Sequence, residues 1–232
     1  MGNCQKENSP QEVMIIAPHD TPFDSYNQQF DIEKRNLLLK NEEMQRFINN
    51  NSSGRIELST SSFYSGDIHE NKANGKGTLK SDKYTFNGEF VNGRPNGHGF
   101  ILYDDKNEYT GHFVNGLYHG NGVYKSNKGY VYEGAFELNK FSGVGKCTWN
   151  DGSKYEGEFK ADKFDGKGVY TYADQKVFQG TYKNGLKDGL GVLTFPNGKG
   201  VCEGLWANGK LEKITKAVVG GTEVPVQMIN VK

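Results

Sequence analysis

Apolar and polar residues alternate in short runs that glycine interrupts, and this pattern begins at Tyr64. An aromatic residue is followed by glycine at the third position, by an aromatic or aliphatic residue at the fifth, and by glycines at the twelfth and fourteenth. The marked positions differ by two within each set, which is the side-chain period of a β-strand. The pattern therefore predicts two strands in each copy, with the large side chains and the glycines on one face.

The motif returns at a spacing of 22 to 24 residues, which is the mark of a repeat architecture. Six full copies begin at Tyr64, Phe86, Tyr109, Tyr132, Tyr155 and Phe178. A partial seventh begins at Cys202 and carries Lys213 where a glycine belongs. The recurring glycines are Gly88, Gly97, Gly99, Gly111, Gly120, Gly122, Gly134, Gly143, Gly145, Gly157, Gly166, Gly168, Gly180, Gly189 and Gly191. One copy cannot close a core, so the copies are expected to stack as a solenoid stabilised by nearest neighbours.

Turn residues separate the two predicted strands of each copy. Four copies place Asn-Gly there, at Asn92-Gly93, Asn115-Gly116, Asn184-Gly185 and Asn208-Gly209, and two others have Asn139 and Asp162 at the glycine position. These residue types tolerate positive φ. A second turn, such as Asn150-Asp151-Gly152 or Pro196-Asn197-Gly198, separates successive copies. Two turns per copy predict an antiparallel meander.

The register of each hairpin predicts how the rings pack. Pairing the fifth position with the twelfth sets the third opposite the fourteenth and the first opposite the sixteenth. Large rings then lie beside glycine gaps on the same surface of the sheet. Glycine weakens a strand, so its recurrence is explained by the close approach of a neighbouring ring to bare backbone.

The segments Tyr155-Glu-Gly-Glu-Phe159 and Gly166-Lys-Gly-Val-Tyr170 resemble the MORN repeat, the membrane occupation and recognition nexus. The resemblance implies an all-β fold, a single elongated twisted antiparallel β-meander, with the array over residues 62–212. The departures from the motif are Ile68, Leu79, Cys147 and Cys202. These smaller side chains predict less firm packing at the ends of the array.

The flanking segments lack the repeat. Residues 1–27 contain three prolines and predict a flexible N-terminal tail. Residues 28–51 have apolar residues near helical spacing, which predicts one amphipathic helix that caps the first hairpin or docks into an aromatic groove. Residues 213–232 are expected to form an irregular C-terminal tail, whose apolar residues suit either an edge strand or a peptide that adds to a partner's sheet.

Charge and cysteine usage exclude several classes of protein. The chain has 28 basic and 28 acidic residues and a pI near 7.0, which disfavours nucleic-acid binding. Cys4, Cys147 and Cys202 are odd in number and form no Cys-x-x-Cys motif, as expected for reduced thiols. The apolar runs are too short for a bilayer span, and no signal peptide opens the chain. We expect a cytoplasmic protein.

No residue pattern in the repeats predicts catalysis, a cofactor or a metal. The Gly-x-Gly pairs do not extend to a phosphate-binding fingerprint, and they fall within predicted strands. His98, His112 and His119 are expected to lie close together on the non-aromatic face as exposed polar residues. Glu156 and Glu158 alternate with glycine as the water-facing residues of the sheet. We therefore expect a protein that is not an enzyme.

The N-terminal sequence Met1-Gly2-Asn3-Cys4 resembles the start of dually acylated proteins, with myristate on Gly2 and palmitate on Cys4. Lys6 replaces the usual Ser or Thr of that motif. Since a single myristoyl chain anchors only marginally, stable attachment to a membrane would need Cys4 as well.

The resemblance to MORN arrays implies a non-catalytic scaffold that binds a helix or an extended segment of a protein partner, within a larger assembly or as a homodimer. Similar arrays occur in ciliary radial-spoke heads and other cytoskeletal assemblies, so we expect a place in the cilium or cytoskeleton. The candidate aromatic residues, for partner binding or for structure, are Tyr109, Phe113, Tyr132, Phe136, Tyr155, Phe159, Phe178, Tyr182 and Trp206. The alternative function is a membrane-contact module, tethered by acylation or by lipid binding of the repeats.

Overall fold

The computed structural model describes residues 54–226. The predicted tail 1–27, the predicted helix 28–51, and Gly2 and Cys4 with their predicted acylation lie outside the described residues. Backbone contacts divide the chain into an N-terminal unit that ends at Lys140 and a C-terminal unit that begins at Phe141.

The described residues form sixteen antiparallel strands that follow one another in chain order as a meander, so the predicted all-β meander is confirmed. The strands are β1 (Arg55–Glu57), β2 (Phe63–His69), β3 (Lys72–Lys80), β4 (Tyr84–Val91), β5 (Arg94–Tyr103), β6 (Glu108–Val114), β7 (Leu117–Ser126), β8 (Tyr130–Glu137), β9 (Lys140–Trp149), β10 (Lys154–Lys160), β11 (Lys163–Thr171), β12 (Val177–Lys183), β13 (Leu186–Phe195), β14 (Gly200–Ala207), β15 (Lys210–Val219) and β16 (Thr222–Glu223). No α-helix occurs between residues 54 and 226.

The predicted hairpin turns are confirmed as two-residue turns with positive φ at both positions. Asn115 and Gly116, for example, have φ of 52° and 84°. This conformation matches the right-handed twist of the strands that it joins, and it favours Asn-Gly. The Gly116 amide also donates a hydrogen bond of 2.8 Å to the carbonyl of Pro95 in the preceding copy. Each turn therefore closes its own hairpin and binds the copy before it.

The predicted register is confirmed at the first and third positions and is wrong at the fifth. Tyr155 lies opposite Tyr170, and Gly157 lies opposite Gly168. Phe159 then pairs with Phe164, at the tenth position, because a β-bulge shifts the register after Gly157. The glycine at the twelfth position instead pairs with the fifth residue of the next copy.

The C-terminal tail is more regular than predicted. Strand β15 runs to Val219 and pairs with the whole of β14, so the seventh copy forms a hairpin although Lys213 stands where a glycine was expected. Two register shifts in this hairpin accommodate the missing glycine. Strand β16 then adds two residues beside the end of β15. The expectation of an irregular segment from residue 213 is wrong up to Glu223.

Candidate binding surface

The rings at the first and fifth positions form a buried aromatic core on one face of the sheet. In the N-terminal unit, Tyr109 contacts Phe113 and Phe136 edge to face, with centroids 5.1 and 4.9 Å apart. In the C-terminal unit, Phe178 contacts Tyr182 and Trp206 at 5.6 and 4.9 Å in the same way. Edge-to-face pairs place the positive edge of one ring on the negative face of another, which stabilises them beyond area burial alone.

The nine aromatic residues that the sequence singles out are all part of this core, each at most 6% exposed. They are Tyr109, Phe113, Tyr132, Phe136, Tyr155, Phe159, Phe178, Tyr182 and Trp206. A partner that binds the folded chain would therefore contact other residues.

Glycines at the third and fourteenth positions lie beneath the first-position ring of their own hairpin. A Cβ atom built on Gly122 would lie 2.5 Å from Cε2 of Tyr109, and one on Gly99 would lie 2.5 Å from the Phe86 ring. Gly134 and Gly145 occupy the same row, as the register partners of Gly122 and Gly157. The rings thus contact bare backbone, as the sequence predicted. The remaining members of the row are Gly66, Gly77, Gly88, Gly111, Gly157, Gly168, Gly180 and Gly191.

The twelfth-position glycines have a different role, because they lie opposite the β-bulge of their hairpin. Gly166 has φ of 112°, and a Cβ atom there would lie 2.7 Å from Oε2 of Glu158. The Glu158 carboxylate accepts a 2.9 Å hydrogen bond from the Lys167 amide. The Glu158 side chain therefore stabilises the bulge as well as facing water. The other twelfth-position glycines with positive φ are Gly75, Gly97, Gly120, Gly143 and Gly189.

Tyrosine at the first position adds a hydrogen bond to the same bulge. The Tyr155 hydroxyl donates to the Glu158 carbonyl at 3.0 Å, and the Tyr64 hydroxyl donates to the Asp67 carbonyl at 2.8 Å. Glu158 and Asp67 are the residues that the bulge leaves unpaired in the ladder between the two strands of their hairpin. Burial, with a contribution from the Asp67 carboxylate, raises the pKa of Tyr64 to about 12. Burial also raises the pKa of Tyr155, so both hydroxyls remain donors at neutral pH.

Three aromatic residues near the ends of second strands are half-buried, unlike the core rings. In the C-terminal unit, Trp149 lies 5.7 Å from Tyr170, and Tyr170 lies 4.7 Å from Tyr172, between ring centroids. We call these three residues the aromatic rim. Trp149 and Tyr170 also contact the buried ring of Phe164, each at 6.3 Å. The rim is thus fixed by the core and open to solvent on its other side.

Sequence reasoning missed the rim because it followed the first and fifth positions. Trp149 and Tyr172 both stand at the eighteenth position of their copies, and Tyr103 stands there in the N-terminal unit. That position holds Ser81 and Ser126 in two other copies. The signal that could have identified the rim is the eighteenth position itself, which is aromatic in some copies and serine in others.

The comparison with known families agrees with this geometry. A MORN repeat model matches the chain six times, over residues 64–85, 86–108, 109–129, 132–154, 155–177 and 178–200. The chain belongs to the MORN-repeat family. Each match begins at a first-position aromatic residue, and together the matches cover more than half of the chain. No curated protein matches the chain.

The opposite face of the MORN array is more polar. His98 pairs across the strands with His112, which pairs in turn with His119, and the first two rings lie 5.5 Å apart. The predicted grouping of these histidines is therefore confirmed. Within residues 54–226, no group of three or more His, Cys, Asp or Glu residues is placed to hold a metal ion. Val144 and Leu190 are apolar exceptions on this face, 70% and 68% exposed.

The described cysteines belong to the core. Neither Cys147 nor Cys202 is part of a disulfide, and both are fully buried. Burial raises the pKa of the Cys147 thiol, so the reactive thiolate is disfavoured. The Gly-x-Gly pairs lie within strands, as predicted, and not at the start of a helix. In the part of the chain that the structure describes, no helix is long and apolar enough to cross a membrane.

Proposed function

We propose that this MORN protein is a non-catalytic scaffold or adapter that binds a helix or an extended segment of a protein partner along its aromatic face. The half-buried rim of Trp149, Tyr170 and Tyr172 carries the proposal. Tyrosine and tryptophan dominate many protein interfaces, because each offers a large contact area and has few rotatable bonds.

The packing behind the rim supports this role. Trp149 and Tyr170 both rest on Phe164, which stacks in turn on Tyr155 with centroids 3.7 Å apart. Rings held in place before binding lose little conformational entropy when a partner arrives. The neutral net charge of the chain also favours a partner recognised by apolar contact rather than by a strong overall field.

Affinity capture from native material with the tagged full chain tests the proposal. Trp149→Ala and Tyr172→Ala truncate the rim, and Val144→Ala truncates an exposed apolar residue on the opposite face. We expect one partner to be retained by the wild type and by Val144→Ala, and its affinity to fall about tenfold or more in both rim variants. Thermal unfolding of each variant establishes that the fold is intact. A partner that is held equally by all four proteins would overturn the assignment to the rim.

The family resemblance extends the proposal to ciliary radial spokes and other cytoskeletal assemblies, where a rigid array would join several subunits. The location of the tagged full chain in ciliated cells tests this extension. Sedimentation of the purified chain tests the alternative of a homodimer, because a dimer would roughly double the measured mass.

A second candidate function is membrane contact, and the sequence Met1-Gly2-Asn3-Cys4 is the observation that favours it. Mass spectrometry of the native protein would reveal acyl groups on Gly2 and Cys4. Flotation with anionic liposomes separates two forms of this function. Binding that disappears in Gly2→Ala indicates an acyl tether, whereas binding by protein without acylation indicates lipid recognition by the repeats.

A further inference from the structure

The polar face of the array carries two imidazole rings at one pair of facing positions. His98 on β5 and His112 on β6 are cross-strand partners. The same pair of positions holds other residue types elsewhere in the array. Those pairs are Lys76 with Glu89, Asn121 with Ala135, Val144 with Glu158, Lys167 with Thr181, and Leu190 with Leu205. Among these pairs, His98 and His112 alone bring two imidazoles together.

The imidazole nitrogens of both residues are available to a ligand. His98 is exposed and His112 is half-buried. Their hydrogen bonds within residues 54–226 involve main-chain atoms. The His98 amide donates to the Glu89 carboxylate at 3.1 Å, and the His112 carbonyl accepts from the Tyr109 hydroxyl at 3.0 Å. A neutral imidazole has one nitrogen with a free lone pair, which is the atom that binds a metal ion.

The separation of the two rings matches that of two imidazoles on one metal ion. Their centroids are 5.5 Å apart. The centroid of a bound imidazole lies about 3.2 Å from zinc, because the Zn–N distance is about 2.1 Å and the ring adds the remainder. Two such rings at the tetrahedral angle have centroids about 5.2 Å apart. Rotation about the Cβ–Cγ bond, which is loosely restrained in histidine, then directs one nitrogen of each ring at the same ion.

The ligand atoms and their neighbours indicate the class of metal. Imidazole nitrogen suits Zn²⁺, Ni²⁺ and Cu²⁺, whereas Mg²⁺ and Ca²⁺ prefer oxygen ligands. The next facing pair along β5 and β6 on the same face is Phe100 with Thr110. Neither of these side chains is charged, so they do not repel a cation at the histidine pair.

Two protein ligands leave part of the coordination sphere open. Zinc in proteins is usually four-coordinate. His119 is the cross-strand partner of His112 on β7, but the described residues include no group of three ligands for a metal. Water therefore completes the coordination, as in an exchangeable site and unlike a structural zinc site, where four protein ligands enclose the ion.

We propose that His98 and His112 bind one divalent transition-metal ion of the zinc class through one imidazole nitrogen each. The site lies on the polar face, so it is additional to the scaffold function and does not depend on the aromatic rim. Strand β5 belongs to the second copy and β6 to the third. The bound ion therefore joins two neighbouring copies, and it should stabilise their junction because it binds only the folded arrangement.

Zinc titration of the full chain, followed by NMR, tests the proposal. The protein is labelled with carbon-13 in histidine, so that the imidazole signals of His98 and His112 are assigned among the five histidines of the chain. We expect both signals to shift with one common, saturable dissociation constant, and Mg²⁺ to leave them unchanged at the same concentration. Signals that do not respond to zinc would overturn the proposal and would show that the two rings only contact each other.

Variants assign the ion to the pair. His98→Gln and His112→Gln each remove one imidazole and keep a polar side chain on the exposed face. We expect each to weaken zinc binding at the remaining imidazole about tenfold or more, since two ligands on one scaffold bind better than one. His119→Gln is the matched control, with the affinity of the wild type. Wild-type affinity in either pair variant, or equal losses in all three, would overturn the assignment to two histidines.

Thermal unfolding gives a second readout. Zinc at saturation should raise the melting temperatures of the wild type and of His119→Gln, and should change those of His98→Gln and His112→Gln little. Without zinc, similar melting temperatures for the four proteins establish that the variants fold. A rise of equal size in the two pair variants would assign the ion to other ligands and would overturn the proposal.

Discussion

The rings of Tyr155 and Phe164 stack face to face, with centroids 3.7 Å apart and planes inclined by 14°. The Tyr155 ring also lies against the backbone of Gly157 and Gly168, and the rings of Phe159 and Tyr182 contact it edge to face. The same arrangement occurs in the N-terminal unit, where Tyr109 stacks on Tyr118 at 3.8 Å. A first-position ring is thus held between glycine backbone and a tenth-position ring, which explains how a sheet with one aromatic face buries large side chains fully.

Gly168→Ala is expected to destabilise the fold, because the new Cβ atom would lie 2.5 Å from Cε2 of Tyr155. Relief requires the ring to leave its stack on Phe164, and overpacking of this kind costs about 1–3 kcal/mol. Chemical denaturation monitored by circular dichroism measures the loss. Gly152→Asn is the matched control, since nothing lies within 4 Å of its Cβ position and asparagine tolerates its φ of 82°. Equal stabilities of the two variants would contradict the proposed role of the ring.

This fit between ring and glycine was predictable because both residue types recur at fixed positions. The β-bulge was not, since it depends on hydrogen bonds such as that from the Lys167 amide to Glu158, and a carboxylate on a strand looks like any water-facing residue. The regular pairing of β15 from residue 213 onward was not predicted for the opposite reason, although an edge strand was one of the two alternatives for the apolar residues of this tail. This strand lacks the glycines that marked the other strands, yet Ile214 and Ala217 fill the core beside Cys202.

The candidate site was less predictable than the fold. Periodicity identifies which face a ring occupies, but solvent exposure depends on how far the neighbouring copies cover it. Tyr109 and Tyr172 are both tyrosines on the aromatic face, yet Tyr109 is fully buried and Tyr172 is half-buried. Likewise, the lack of a hydrogen-bond partner for the Tyr182 hydroxyl among residues 54–226 becomes visible only when the surroundings of that atom are known.

Tyr155→Phe is expected to lower the free energy of unfolding by about 1 kcal/mol, the net value of a typical hydrogen bond. The substitution keeps the ring over Gly168 and removes only the bond from the hydroxyl to the Glu158 carbonyl. Phe178 occupies the equivalent position of the next copy, so the fold accepts phenylalanine there. Urea denaturation measures the change. A loss as large as that of Gly168→Ala would show that packing of the ring had also been disturbed.

Alkaline pH is expected to unfold the protein from about pH 10 upward. Burial raises the pKa of Tyr64 from 10.0 to about 12, and it also raises the pKa values of Tyr109, Tyr155 and Tyr182. The stability that these groups contribute is fully present below pH 10, the unfolded value, and is lost as the pH rises toward their folded values. Tyrosinate absorbance and circular dichroism should therefore change together. Ionisation of all the tyrosines near pH 10 with no loss of structure would contradict their burial.

Ala161→Asn is expected to stabilise the fifth hairpin, because Ala161 has φ of 48° and alanine lacks the tolerance of asparagine for this region. Asn184 occupies the same turn position in the sixth hairpin with φ of 51°, so Asn184→Ala provides the reciprocal change. We expect a gain of about 0.5–1 kcal/mol for the first variant and a loss of similar size for the second, on the basis of backbone compatibility alone. Thermal unfolding of the two variants and of the double variant measures both effects. The turns lie in two adjacent copies, so the double variant should return close to wild-type stability, and a large deviation would show that the two turns are coupled through the contact between their hairpins.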